Sequence, residues 1–169
     1  YGPGNTQVII NTALNDNLAE PNNNGSFTIT LSGATSNELT QPIIVSYTLA
    51  GTAIQGTDYV TVTGTAAIAV SQSSATINLT TIDDAILEDL ETITVTLTSL
   101  TPVLALNIGA QNTTTLNIVD NEATNATLIM TAIQPNASET GPANATYLVS
   151  LSGATSHTLS QPIDFTYTA

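Results

Sequence analysis

Apolar and polar residues alternate along most of this chain. Phe27, Ile29 and Leu31 fall on one face of an extended segment, and Ser26, Thr28 and Thr30 fall on the other. The same alternation runs through Ile43, Val45, Tyr47 and Leu49, through Ala75, Ile77 and Leu79, and through Ile93, Val95 and Leu97. Val8 and Ile10 open the series, and Leu116 and Ile118 close it. A period of two bounded by Gly, Pro, Asn or Ser clusters is the signature of half-buried strands. It predicts about seven or eight strands before residue 120 and no amphipathic helix. Strands of this kind stack as an antiparallel β-sandwich, with the apolar faces inside and the Thr faces in water. The expected fold class is all-β.

The pattern also repeats. Leu31-Ser32-Gly33-Ala34-Thr35-Ser36 recurs unchanged as Leu151-Ser152-Gly153-Ala154-Thr155-Ser156. The match continues through Leu39/Leu159, Gln41/Gln161, Pro42/Pro162, Ile43/Ile163 and Tyr47/Tyr167. Upstream, Thr12-Ala13 matches Thr131-Ala132 and Glu20 matches Glu139, with a one-residue step in the offset. Residues 6–122 therefore read as one complete repeat, and 124–169 as an incomplete second repeat holding the first three strands. The second copy is expected to expose Tyr147, Val149, Leu151, Ile163, Phe165 and Tyr167. Burial of each such side chain is worth about 1.5–3 kcal/mol, so an open sheet of them invites association. Either the natural chain continues or another copy of the protein completes this half, by head-to-tail or strand-exchanged assembly.

Charge narrows the partners. The 169 residues include 13 Asp and Glu, no Lys or Arg and one His, for a net charge of -13. Without cations the chain has no means of neutralising phosphate, which argues against nucleic acid and against anionic membranes. No apolar run is long enough for membrane insertion. The chain is nevertheless no acidic coil: 41% of its residues are hydrophobic and only 8% charged, and Thr, a β-branched strand former, occurs 32 times. Cys is absent, which removes disulfides, thiolate metal sites and a thiol nucleophile. The lack of both Lys and Arg points to an extracellular or cell-surface protein. The first residue is Tyr, in keeping with a mature product or a segment of a longer chain.

Eight acidic residues flank predicted strands: Glu20, Asp58, Asp83, Asp84, Glu88, Glu91, Asp120 and Glu122. Alternate strand ends of a sandwich lie at one pole, so these carboxylates can converge. Two carboxylates about 5 Å apart repel by roughly 3 kcal/mol at an effective dielectric near 20. With no internal cation, Ca2+ is the natural counter-charge, because it takes 6–8 oxygen ligands from flexible loops. Zinc and copper favour His and Cys instead.

The same residues carry a family resemblance. Ala53-Ile54-Gln55-Gly56-Thr57-Asp58-Tyr59 resembles the A-x-x-G-x-D-Y signature of Calx-β domains. Asp83-Asp84 with Glu88 and Glu91 resembles the family's D-D-x-x-x-E-x-x-E, and Asp120-Asn121-Glu122 its terminal D-N-D. The resemblance covers about 6–122 and resumes over 124–169. It implies a seven-stranded immunoglobulin-like sandwich with calcium held in loops at one end. The implied ligands are Glu20, Asp58, Asp83, Asp84, Glu88 and Asp120, with Glu91 and Glu122 adjoining. Three positions depart from the family pattern: Glu122 replaces an Asp, and Ile93 and Ile68 stand where Phe is common.

Other chemistry is sparse. His157 aligns with Asn37 and reads as a surface turn residue, and no nucleophile elbow or catalytic triad is present. The chain is not expected to be an enzyme. Six Asn-x-Ser/Thr sequons occur, at Asn24, Asn78, Asn112, Asn125, Asn136 and Asn144, most of them explained by chance in an Asn- and Thr-rich chain. Asn24 and Asn144 fall at equivalent repeat positions, where a glycan would make this a glycoprotein if the host glycosylates. The leading expectation is a structural repeat of an extracellular bacterial filament, adhesin stalk or matrix protein, stiffened by calcium where one repeat meets the next. The alternative is a module that binds glycans or another surface. Trp is absent and aromatics make up 4%, which leaves few stacking platforms for sugars and favours the structural reading.

Overall fold

The computed structural model describes residues 7–12, 17–33, 39, 41–102, 106–122, 126–137, 140–141, 144–152, 158–159 and 162–168. In chain order the strands are β1 (Gln7–Thr12), β2 (Asn17–Ala19), β3 (Gly25–Ser32), β4 (Ile43–Gly51), β5 (Thr65–Ile68), β6 (Ser74–Leu79), β7 (Ile86–Leu87), β8 (Glu91–Thr101), β9 (Asn107–Ile108), β10 (Thr113–Val119), β11 (Thr127–Gln134), β12 (Thr146–Ser152) and β13 (Thr158–Leu159). No α-helix occurs among the described residues. The chain divides into two compact units, residues 1–83 with 90–119 and residues 84–89 with 120–169.

The first unit is a sandwich of two sheets, ordered β6-β3-β1-β9 and β2-β10-β8-β4-β5. Most of its core is drawn from the residues that the alternation selects, joined by Leu18 and Ile68, while Leu31, Leu49 and Ala75 of that pattern are half-buried. Val8, Ile10, Phe27, Ile29, Ile77 and Leu79 come from the first sheet. Leu18, Ile43, Val45, Tyr47, Ile68, Ile93, Val95, Leu97, Leu116 and Ile118 come from the second, all at most 9% exposed. Phe27 meets Tyr47 edge to face, with ring centroids 5.3 Å apart and planes at 83°, an arrangement that aromatic quadrupoles favour. The outward faces carry Thr pairs in hydroxyl contact across strands: Thr28 with Thr76 at 3.3 Å, Thr94 with Thr115 at 3.1 Å, and Thr96 with Thr113 at 3.3 Å.

The N-terminal stretch departs from a purely antiparallel plan. Its two strands lie in different sheets: β1 pairs antiparallel with β3 and parallel with β9, and β2 pairs parallel with β10. One N-terminal stretch thus contributes a strand to each sheet. Hydrophobic alternation marks Val8 and Ile10 as inward but does not single out Leu18, and it carries no information about which sheet each joins.

In the second unit β11 and β12 form an antiparallel pair, and β13 pairs in parallel with β7. The β11–β12 register is that of β1–β3 moved by 120 residues: Val8 opposes Leu31 and Leu128 opposes Leu151, while Ile10 opposes Ile29 and Met130 opposes Val149. This pairing equates Thr12 with Ala132, one residue away from the Thr12/Thr131 sequence match, and an irregularity follows between Ala132 and Gln134. The apolar positions therefore outrank residue identity in setting the register. The third strand expected over Ile163–Tyr167 is not formed, since residues 162–168 lie outside any strand. In the first unit the matching segment, β4, is held between β5 and β8. No strand of the second unit takes those two places among the described residues.

Candidate metal centre

The A-x-x-G-x-D-Y segment forms a tight turn around Asp58. The Asp58 N–H donates to the Ile54 carbonyl at 3.0 Å, its carboxylate accepts the Ile54 N–H in return, and Gly56 sits at φ 91°. That positive φ favours a residue without Cβ. The Asp58 carbonyl accepts the Ile82 N–H at 3.0 Å, which ties the turn to the segment running into Asp83. Asp58 is only 3% exposed, and Tyr59 beside it only 2%. Burial, and then the Asp58 charge, push the Tyr59 phenol above its ordinary value.

Asp120 follows β10 and is 6% exposed. Its two carboxylate oxygens accept the N–H groups of Glu88 and Glu122, each at 2.8 Å. These charge-assisted bonds fix the carboxylate and hold two further acids beside it. Glu20 follows β2, and its N–H donates to the Val119 carbonyl at 3.1 Å. Asp84 caps the start of β7 by accepting the Ile86 N–H at 2.7 Å.

Of the eight expected carboxylates, Glu20, Asp58, Asp83 and Glu91 belong to the first unit and Asp84, Glu88, Asp120 and Glu122 to the second. In the first unit a carboxylate oxygen of Asp58 lies within 4.8 Å of one of Glu91, and in the second one of Asp120 lies within 4.8 Å of one of Glu122. Asp83 is exposed and Asp84 half-buried, and neither belongs to these pairs. Glu139, the repeat-mate of Glu20, and His157 lie outside the described residues. Sequence reading passed over two supports. The Asn24 side-chain oxygen accepts the Thr81 N–H at 3.0 Å, and the buried Thr81 hydroxyl donates to the Ala19 carbonyl at 3.4 Å. Thr81 is polar, yet 7% exposed and bridged to Tyr59. A Thr within a Thr-rich chain gives no signal of that role.

A family model described as the Calx-beta domain matches residues 23–122. The chain belongs to the Calx-beta domain family. Solved Calx-beta relatives share the fold. The apo form of the Calx CBD1 domain gives a TM-score of 0.51 at 18% identity, over 68% of this chain and 97% of that one. The Calx CBD2 domain gives 0.50 at 13% identity, over 69% and 90%. A structure described as the calcium binding domain CBD12 of CALX1.1 gives 0.50 at 15%, over 68% and 52%. No curated protein sequence matches this Calx-beta chain.

Proposed function

We propose that this Calx-beta chain is a calcium-binding structural repeat of an extracellular bacterial filament, adhesin stalk or matrix protein. The observation that carries the reading is the burial of Asp58 and Asp120, at 3% and 6% exposure, in a chain with no Lys or Arg. Carboxylates within 4.8 Å of one another repel by about 3 kcal/mol per pair at an effective dielectric near 20. The chain has no Lys or Arg with which to answer that repulsion. The donor set is all oxygen, which suits calcium and not zinc or copper. A structural relative described as a calcium binding domain supports the same choice.

In this reading Glu20, Asp58, Asp83, Asp84, Glu88, Glu91, Asp120 and Glu122 hold the ion or ions. A bound ion supplies the positive charge that the chain lacks and crosslinks loops that otherwise repel. The chain's own part is positioning: the Ile54 N–H aims Asp58, and the Glu88 and Glu122 N–H groups aim Asp120. Because Asp120 stands where the sandwich passes into the following repeat, calcium there stiffens the chain.

Thermal melts of the 169-residue chain in millimolar calcium and in EDTA test this, with calorimetric titration alongside. If the free ion is at about a hundredfold its Kd, linkage raises stability by about 2.7 kcal/mol. A melting temperature that calcium leaves unchanged overturns the reading. Asp84→Asn is expected to lose more calcium-linked stability than Glu38→Gln or Asp164→Asn, which lie outside the acidic segments.

A further inference from the structure

Strand β6 ends its sheet and pairs with β3 alone among the described residues. The Leu31 N–H donates to the Ser73 carbonyl at 2.8 Å. Antiparallel alternation then turns the backbone groups of Ala75, Ile77 and Leu79 toward β3, and those of Ser74, Thr76 and Asn78 outward. Of the four edge strands of the sandwich, β9 has 2 residues, β2 has 3, β5 has 4 and β6 has 6. Natural edges are usually blunted by charge, Pro or a bulge. Ser74–Leu79 carries none of these. Along this edge a cavity of about 380 Å³ opens between β5 and β6, lined by Tyr47, Val62, Ala66, Ala75 and Ile77 among others.

The second unit offers a matching edge. Strand β12 pairs with β11 alone among the described residues, and Thr146–Ser152 likewise holds no charge and no Pro. Tyr147 and Leu148 on it are 56% and 49% exposed, and Met130 on β11 is 63% exposed. By the repeat, β12 corresponds to β3, the strand that β6 already accepts on its other side with Phe27 opposite Ile77 and Ile29 opposite Ala75. Charge then selects the partner. Two copies each of net charge -13 repel wherever their acids approach, but β5, β6, β11 and β12 contain no acidic residue.

We infer that a second copy of this chain occupies the β6 edge, β12 of one copy adding to the outer edge of β6 of the next by β-augmentation. The apolar side chains of the added pair lie over the cavity between β5 and β6. The contact joins two different surfaces, so it repeats head to tail and builds an open chain of copies. The inference rests on the structural reading proposed above and names its partner.

Sedimentation of the intact 169-residue chain over a concentration series tests it, in calcium and in EDTA. The mean mass is expected to rise with concentration beyond two copies of 17.4 kDa. Thr76→Pro removes an outward N–H on β6. Tyr147→Pro does the same on β12, because the repeat aligns Tyr147 with Phe27, whose own backbone groups face β6. Each variant alone is expected to remain a single chain, and an equimolar mixture to stop at two, since each retains the surface that the other lacks. Circular dichroism checks that both fold, and Thr76→Lys and Tyr147→Lys serve as charged-edge substitutes if a Pro variant does not. A single-chain mass for the unaltered protein at every concentration overturns the inference. So does a Thr76 variant that assembles as the unaltered protein does. The melts read calcium and the masses read the edge, so the two proposals fail separately.

Discussion

The β1–β3 and β11–β12 pairs are one structure in two settings. Their registers coincide at a shift of 120 residues, and both place apolar residues on alternate positions. Val8, Ile10, Phe27 and Ile29 are fully buried, whereas their counterparts Leu128, Met130 and Tyr147 are 46%, 63% and 56% exposed and Val149 is half-buried. Alternation and backbone pairing are therefore enough to specify the ladder and its register. Burial requires a second layer: the β2-β10-β8-β4-β5 sheet covers the first pair. A two-stranded ladder alone is marginal in water, so the second pair is where partners matter.

Truncating the same aromatic position in both settings gives the largest contrast. Phe27→Ala empties a fully buried site against Tyr47 and is expected to cost about 3–5 kcal/mol, read by urea unfolding. Tyr147→Ala, at the equivalent exposed position, is expected to stay within about 0.5 kcal/mol in dilute solution. Two glycines sharpen the comparison. Gly51 has φ 136°, and a Cβ there would lie 2.0 Å from the Thr92 carbonyl oxygen, so Gly51→Ala should cost about 3 kcal/mol or more. Gly141 has φ 105° with nothing within 4 Å, so Gly141→Ala should cost only the backbone strain, about 1 kcal/mol.

Calcium separates the repeats next. Asp120→Asn is expected to shrink the difference between melts in calcium and in EDTA, while Glu139→Gln, at the repeat-mate of Glu20, leaves it intact. The smallest effect is alkaline. Burial pushes the Tyr47 and Tyr59 phenols up from 10.0, so above that pH the folded state keeps protons that the unfolded chain has released. Stability of the sandwich is thus fully present below about pH 10 and falls as pH rises past it. Tyr59→Phe should flatten that fall, seen in melts across the alkaline range.

Much of this was legible in order along the chain. Inward residues such as Phe27, Val45, Val95 and Leu116 follow from period-two alternation, because a strand has only two faces. The repeat and the acidic segments are equally plain. The division of the N-terminal stretch between two sheets was not, since Val8 and Leu18 are inward in either. Nor was the unformed strand at Ile163–Tyr167, whose pattern is that of β4 but which, among the described residues, has no flanking strands like those that hold β4 in place.

The sequence by itself determined that this is a Calx-beta sandwich, which residues face inward, and that carboxylates without internal cations crowd the strand ends. Those are local properties: a residue's alternation and charge travel with it. Only the tertiary structure decided that Asp58 and Asp120 are the buried acids while Asp83 is exposed, that Glu88 and Glu122 grip Asp120 through their N–H groups, and that one of two matching ladders is covered and the other open. Burial and proximity depend on which distant segments meet, and no single stretch of chain contains that information.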